Sequence, residues 1–469
     1  MKIAFIQNLP VMLDSYLVLS AALKKAGCQT EVFVDAFEHN LPSAVAAARP
    51  DLLAFNCLTG SYKWVLKTAA EIKKNCPAPV VIGGVHPTFY PETIDYSIVD
   101  YICRGEGEQA LVDLCARLAA GQPALDIPGI WAKTPDGLAK NDPRSLEQDM
   151  DSLPPNDWEL YDKYPDFVNS HIISYRASRG CPFRCSFCFN SSLHKLYKGQ
   201  KVYREFSLEH IFSELKEIKR RYKKLNMVFL SDESFGVNKA WSEGLLRRFA
   251  QEVALPYVIT ARADFIDEAF ADMLRDTGCV YINLSIETAN EQLRKTVLDK
   301  DLSNSAVRNA VKLLRARGIT VRITCIFCLP DETVADSMEN VYFLKELGVE
   351  HPVGFLLQPF PLTPIHDYAV EKGQLLPMDD FNSLDPLVFF DTPMQVKDKD
   401  RIVNVQRLFF YGVRVPGFAQ VMPWLIKLPQ NPIYEVLQKI SIAIIHKGFY
   451  KLSFLALAKY LWASRKLKA

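Results

Sequence analysis

Three thiols, Cys181, Cys185 and Cys188, stand at C-x3-C-x2-C spacing in the run Cys181-Pro182-Phe183-Arg184-Cys185-Ser186-Phe187-Cys188. Thiols so spaced can each ligate one iron of a [4Fe–4S] cube, and the fourth iron is then left without a protein thiolate. A cube kept for electron storage usually has four cysteines. An open iron can bind a substrate or co-substrate, so the spacing points to chemistry at the cluster. A structural zinc site is the alternative. Zinc takes four ligands, typically as two close pairs. No second cysteine pair follows, but His194 could complete the count.

The elements around this loop must hold it in place. Ile172–Ala177 reads as a strand that feeds Ser178-Arg179-Gly180 into the cysteines. Further strand patterns follow at Met227–Ser231, Tyr257–Ala263, Val280–Glu287, Thr320–Leu329 and Val353–Phe360. Helical patterns such as Leu208–Lys223, Ser242–Val253 and Ser305–Arg317 separate them. This is the rhythm of a partial β/α barrel, whose chemistry sits at the carboxyl ends of its strands. Ser231, Asp232, Glu233, Arg262 and Glu287 fall at such ends. Cys325 and Cys328 form a C-x2-C, but on a strand their side chains point to opposite faces, and they read as core.

Residues 1–125 alternate in the same way. Lys2–Gln7, Thr30–Asp35, Asp51–Cys57, Pro79–Gly83 and Tyr101–Arg104 are predicted strands; Tyr16–Ala26, Ser43–Ala48, Tyr62–Asn75 and Gln109–Ala120 are predicted helices. The pattern implies an α/β fold with a doubly wound parallel sheet. Ligands of such sheets bind beyond the strand carboxyl ends. Three loops lie there: Leu58-Thr59-Gly60-Ser61, Gly83-Gly84-Val85-His86-Pro87-Thr88 and Arg104-Gly105-Glu106-Gly107-Glu108. Residues 126–170 read as a linker. Ile127–Ala132 is one strand of a small hairpin with its turn at 134–137, and a proline-rich connection runs from Leu153 to Trp158.

The length of 469 residues suggests two to four domains, here 1–125, 126–170, 171–375 and 376–469. A net charge of +1 gives no argument for nucleic acid. Met1-Lys2 leads straight into a strand pattern, with no signal-like segment. Eleven cysteines, several in apolar runs, indicate reduced thiols in the cytoplasm rather than a disulfide framework. No apolar run reaches the ~18 residues of a membrane span.

The cysteine run and the residues after it resemble the radical S-adenosylmethionine (SAM) superfamily. The resemblance implies that the open iron chelates SAM and that an electron from the cluster cleaves SAM to a 5′-deoxyadenosyl radical. It places Phe187 against the adenine, Ser231, Asp232 and Glu233 near the SAM amino group, Arg262 near its carboxylate, Glu287 at the ribose and Ile326 at the adenine. Pro330-Asp331-Glu332-Thr333 resembles the P-x-E-T that follows in the family. The amino-terminal loops are similar to the cobalamin-binding domain that precedes many radical SAM domains. That likeness implies a cobalamin pocket formed by Thr59, Ser61, Gly83, Gly84, His86, Gly105 and Glu106. The loop after the first strand, residues 8–14, has no histidine to serve as a lower axial ligand; His86 reads as a loop residue bonded to backbone. The family's commonest reaction is methylation of an unactivated carbon by way of cobalamin. Radical ring formation or rearrangement, as in the anaerobic porphyrin-ring cyclase, is the alternative. A non-catalytic iron–sulfur or cobalamin-binding protein is the reading from another class. An electron donor such as flavodoxin or ferredoxin is the implied partner.

The remaining residues, 376–469, have bulky apolar clusters at Phe389-Phe390, Leu408–Tyr411 and Trp424–Ile426. On a helical wheel Lys447, Lys451, Lys459 and Lys466 share one side, and Phe449, Tyr450, Phe454, Leu457, Tyr460 and Leu461 fill the other, with Leu455 and Trp462 among the lysines. A basic amphipathic helix suits peripheral contact of 430–469 with an anionic inner-membrane surface and a lipid or other hydrophobic substrate. A helical cap on the barrel is the alternative.

Overall fold

The structure is a computed structural model, and it describes residues 1–376, 381, 384–385 and 388–450, the last three of these by their backbone. Among the described residues the chain divides into two units: Met1–Ser170 with Glu209–Lys224, and His171–Leu208 with the residues from Leu225 to Tyr450.

The first unit is built on β1 (Lys2–Gln7), β2 (Gln29–Val34), β3 (Leu52–Asn56), β4 (Val80–Gly83) and β5 (Tyr101–Cys103), with helices α1 (Asp14–Lys25), α2 (Leu41–Ala48), α3 (Tyr62–Lys73), α4 (Val85–Phe89) and α5 (Glu108–Ala119). The hairpin β6 (Ile130–Thr134) and β7 (Gly137–Ala139) follows, then the short α6 (Pro165–Val168). The sheet order is β2-β1-β3-β4-β5-β6-β7, parallel through β5. The hairpin, expected in the linker, instead pairs antiparallel with β5 and extends the sheet. Ile3, Phe5 and Ile6 of β1 are all fully buried. Helices cover both faces of such a sheet, and each of these side chains contributes about 1.5–3 kcal/mol by leaving water. Tyr16 of α1 is buried; its hydroxyl donates to the Ile6 carbonyl at 2.7 Å and accepts from Asn56 N at 2.7 Å. That pair ties the helix to β1 and β3.

The second unit begins with β8 (Ile172–Tyr175), β9 (Ser178–Arg179), α7 (Phe189–Leu196) and β10 (Arg204–Glu205). Helix α8 (Leu208–Arg221) comes next but packs with the first unit. There Glu214, buried on α8, accepts from Trp158 Nε1 at 3.0 Å and Asn156 N at 3.1 Å. The alternation then runs β11 (Met227–Phe235), α9 (Lys239–Glu252), β12 (Tyr257–Ala261), α10 (Glu268–Asp276), β13 (Cys279–Glu287), α11 (Glu291–Thr296), α12 (Asn304–Ala316), β14 (Thr320–Phe327), α13 (Val334–Glu346), β15 (His351–Leu356) and α14 (Pro364–Glu371). The strands form one parallel sheet in the order β15-β14-β13-β12-β11-β8, open between its first and last members. This is the partial barrel with its rows of buried Val, Ile and Leu.

Three helices complete the second unit: α15 (Lys399–Arg414), α16 (Phe418–Leu425) and α17 (Pro432–Tyr450). Helix α15 packs on α13 and on the edge strand β15, and α16 and α17 pack on α15. Phe409, from the apolar cluster of α15, is buried with its ring 5.1 Å from Phe327. Covering β15 shields an edge that would otherwise pair with another chain. No helix among the described residues is long and apolar enough to cross a membrane. Residues Lys451, Phe454, Leu457, Lys459, Tyr460, Leu461 and Lys466 of the expected amphipathic segment lie outside the described residues.

Candidate functional site

The cysteine loop leaves β9, which pairs antiparallel with β10. Gly180 makes the exit at φ 77°, and a Cβ there would lie 2.3 Å from the Val202 carbonyl oxygen; no other residue fits. The loop is then pinned from several sides. Ser186 N donates to Leu298 O at 2.9 Å, Ser186 Oγ donates to Val297 O at 2.6 Å, and Ile365 N donates to Ser186 O at 3.1 Å. His194 Nε2 sits 2.9 Å from the Cys181 carbonyl oxygen, so that ring nitrogen serves the loop backbone rather than a metal. The three thiols are partly buried. Burial pushes Cys181 up to about 11 and Cys188 up to about 12, and raises Cys185; the cations Arg262 and Lys300 pull Cys185 the other way. Bound iron overrides the burial effect, because a coordinating thiol is deprotonated outright.

Ser231, Asp232 and Glu233 do not end β11, which continues to Phe235. They lie where its pairing with β12 slips, between Leu230 and Phe235. A bulge of this kind re-aims side chains next to active sites. Glu233 Oε2 accepts from Asn190 Nδ2 at 2.7 Å, and its Oε1 is 3.5 Å from Arg176 Nη1. Asp232 alternates to the other side: it is buried and its Oδ1 accepts from Ser178 Oγ at 2.5 Å. Ser231 Oγ donates to Tyr175 O at 3.3 Å. Glu287 likewise follows a slip, between β13 and β14, and has φ 68°. Lys300 Nζ holds it, donating to Glu287 Oε1 at 2.8 Å and to Ser285 O at 2.6 Å. Arg262, just past β12, clamps Asp264 through two bonds of 3.0 and 2.8 Å, donates to Asp301 O at 2.7 Å, and lies 4.0 Å over the Phe183 ring. Ile326 is buried on β14, in register with Phe355, and Phe187 is half-buried in the loop.

In the first unit the candidate loops gather beyond β3, β4 and β5. Gly84 has φ 105°, and a Cβ there would meet Asn56 Oδ1 at 2.4 Å. Thr88 joins two loops: its Oγ1 accepts from Gly105 N at 3.0 Å and donates to Gly84 O at 2.7 Å. His86 is buried between the rings of Tyr62 and Tyr90, each 5.2 Å away, with Nδ1 3.4 Å from Thr59 Oγ1. Burial lowers its pKa to about 4, so the ring is neutral. Ser61 closes the local turn by donating to Leu58 O at 3.0 Å. Glu106 accepts from Glu147 N at 3.1 Å, in the stretch that follows β7. At Gly83, the end of β4, a Cβ would lie in ordinary contact with the Cys103 Cβ at 3.6 Å.

Comparison with known proteins agrees with this arrangement. The family model described as B12 binding domain matches residues 15–115, and that of the Radical SAM superfamily matches 175–344. The chain is a B12-binding radical SAM protein. An uncharacterized methyltransferase of Pyrococcus horikoshii is 29% identical to it over 349 residues, 72% of this chain and 74% of that one. The anaerobic magnesium-protoporphyrin IX monomethyl ester cyclase of Rubrivivax gelatinosus is 25% identical over 415 residues, 84% of this chain and 72% of that one. The fold is shared with the radical SAM methyltransferase TsrM of Kitasatospora setae, solved with cobalamin and a [4Fe–4S] cluster, at a TM-score of 0.67 and 16% identity, covering 94% of this chain and 99% of that one.

The donor set of this radical SAM protein fits a cluster better than a single ion. Three thiols stand on one loop, at the spacing that serves three separate irons. A cube spreads its thiolates over separate irons, so its cysteines need not meet at a point. Asn190 Oδ1, just beyond Cys188, is buried without a hydrogen-bond partner. The sequence reading missed Lys300, Arg176, Asn190 and Phe183. Of these, only Phe183 carried a signal, its place within the cysteine run.

Proposed function

We propose that this chain methylates an unactivated carbon of a small-molecule substrate, with a [4Fe–4S] cluster held by Cys181, Cys185 and Cys188, SAM, and cobalamin. The observation that carries the reading is the pairing of the three-cysteine loop with a B12-binding domain on one chain. When bound, the cluster and SAM supply a carbon radical and cobalamin carries the methyl group.

The chain's own residues bind and orient. The three thiolates neutralise iron charge, and Arg262 and Lys300 offset the negative charge that the thiolates bring. Glu233 and Glu287 are hydrogen-bond acceptors for the cationic end and the ribose of SAM, not general bases. Arg176, Asn190 and Lys300 fix their direction. Asp232 holds β9 through Ser178 and so positions the cysteine loop. In the first unit Thr59, Gly83, Gly84 and Gly105 offer a surface where backbone can approach the cobalamin tail; the bonds that Ser61 and Glu106 already make support a structural part for both. Buried His86, neutral and packed between two tyrosines, supports a cofactor held with no histidine on its lower face.

A flavodoxin or ferredoxin is the fitting electron donor, and peripheral contact of 430–469 with the inner membrane surface would present a lipid or other hydrophobic substrate. Radical cyclisation is the second reading, favoured by the cyclase relative that spans 84% of this chain. Anaerobic reconstitution tests the first step. The protein should hold one cluster and release 5′-deoxyadenosine under strong reductant, and Cys185→Ala should lose both. Unchanged iron and cleavage in that variant would discard the radical assignment. Metabolite comparison of a deletion strain then separates an added methyl from a new ring.

A further inference from the structure

Helix α17 is turned inside out. Tyr434, Gln438, Ser441 and Ile445, at i, i+4, i+7 and i+11, are 6%, 3%, 6% and 5% exposed. Three of these four buried positions are polar, and their bonds are internal. Gln438 Nε2 donates to Phe389 O at 2.7 Å and to Gln406 Oε1 of α15 at 3.0 Å; Tyr434 Oη donates to Leu425 O at 3.0 Å; Ser441 Oγ donates to Gln438 O at 2.7 Å. On the opposite side Ile433, Val436, Ile440 and Ile444, at i, i+3, i+7 and i+11, are 69%, 53%, 46% and 45% exposed. Helix α16 and its exit add Trp424 at 71% and Leu428 at 50%. A surface helix normally puts its apolar stripe inward, and a contiguous outward stripe marks a surface that meets an apolar medium.

Charge selects the occupant. Lys427, in the connection after α16, and Lys439 and Lys447 of α17 are exposed. From residue 421 to the last residue given, Glu435 is the only acid, and it lies 3.4 Å from Arg407. Residues 451–469 add Lys451, Lys459, Arg465, Lys466 and Lys468. A second copy seated on this face would bring lysines against lysines. An anionic bilayer instead offers phosphates to the lysines, hydrocarbon to the isoleucines and an interface that suits tryptophan.

We infer that the outward face of α16 and α17 is a docking surface for an anionic lipid bilayer, entered by Trp424, Ile433, Val436, Ile440 and Ile444. This deepens the peripheral contact proposed above for 430–469 and rests on it, but assigns the contact to these side chains rather than to the basic segment beyond them.

The test uses the full chain with unilamellar vesicles of phosphatidylcholine, alone or with one third phosphatidylglycerol. Co-sedimentation is measured at about 0.1 M and about 1 M salt, where the screening length falls from about 10 Å to about 3 Å. Binding should require the anionic lipid and weaken with salt. Trp424→Ser/Ile433→Ser/Ile440→Ser should weaken it about a thousandfold, since each inserted side chain contributes about tenfold. These positions are exposed, and an unchanged circular dichroism spectrum confirms folding. Undiminished binding of that variant overturns the proposal. If Lys451→Glu/Lys459→Glu/Lys466→Glu alone abolishes binding, the contact belongs to the basic segment and the wider reading survives without this face. Absence of binding by the unaltered chain defeats both. A concentration-dependent dimer in sedimentation velocity, broken by the serine variant, would give the face to a second copy instead.

Discussion

Lys300→Met should loosen the sheet at the point where Glu287 leaves it. Both side chains of the pair are 6% exposed, and the Nζ–Oε1 distance is 2.8 Å. The same Nζ also holds Ser285 O at 2.6 Å. Methionine keeps the apolar stem and removes every donor. Stripping one partner from a buried pair costs about 3–5 kcal/mol, because the other charge stays behind uncompensated. Glu287 also has φ 68°, a conformation that costs a non-glycine residue about 1–3 kcal/mol and persists only under constraint. Local opening of β13 should therefore become easier by about 4 kcal/mol, or roughly a thousandfold in the opening equilibrium. Amide hydrogen exchange read by mass spectrometry resolves this without requiring the two units to unfold together. Peptides spanning β13 and β14 should exchange about a thousandfold faster, and peptides of β1 and β3 should not change. Lys300→Met with Glu287→Gln should recover much of the loss, since the amide carries no charge to strand. SAM binding to the cluster-loaded protein should weaken in the single variant. Exchange within about threefold of the unaltered protein would refute the reasoning, because the pair would then not be holding Glu287.

Glu332 makes a pH prediction. It is buried, accepts from Leu329 N at 2.9 Å and from Ser337 Oγ at 2.5 Å, and burial pushes it from 4.5 up to about 8. The folded state thus holds its proton more tightly than the unfolded chain. The stability it contributes is full below about 4.5 and is lost as pH rises through about 8, by up to about 1.4 kcal/mol per unit; Glu332→Gln should flatten this part of the unfolding profile between pH 5 and 8, measured by thermal melts. Gly180→Ala should displace Val202 or the cysteine loop, and iron content after reconstitution should fall while the B12-binding unit keeps its far-ultraviolet spectrum. Electron paramagnetic resonance of bound Co(II) cobalamin should show no strong single-nitrogen splitting, and His86→Phe should leave that spectrum unchanged. A nitrogen splitting lost on that substitution would make His86 an axial ligand after all.

Much of the frame was legible because parallel strands announce themselves as apolar runs between helical patterns. Lys2–Gln7 was read to the residue, and Val280–Glu287 to within one. The cysteine loop was legible because its spacing is rare. What escaped depends on distance along the chain or on register. Neither slip, at Leu230–Phe235 or Ser285–Glu287, leaves a mark in composition, yet both decide where the two glutamates point. Lys300 stands between Asp299 and Asp301 and looks like part of a solvated charge run; only burial discloses its partner 13 residues back. The inward polar side of α17 escaped in the same way. Its polar residues face inward because Phe389 and Gln406 offer them bonds, and no local pattern reveals such partners.

Helix α8 carries a consequence for how the protein is made. The chain passes between its two units at three points among the described residues, after Ser170, Leu208 and Lys224. The buried carboxylate that Trp158 and Asn156 need is Glu214, supplied by the returning helix. Synthesis at about 5–20 residues per second delivers the amino-terminal unit seconds before that helix exists. During that interval the nascent sheet has its strands but not its last acceptor, and the whole cysteine loop emerges before the unit ahead of it can close. Gene fusions or truncations that cut after residue 170 would hold the protein in that interval permanently, with Trp158 lacking its acceptor and a hydrophobic flank open to chaperones. The two units are thus consecutive in neither folding nor inheritance: any rearrangement that moves one must carry a piece of the other.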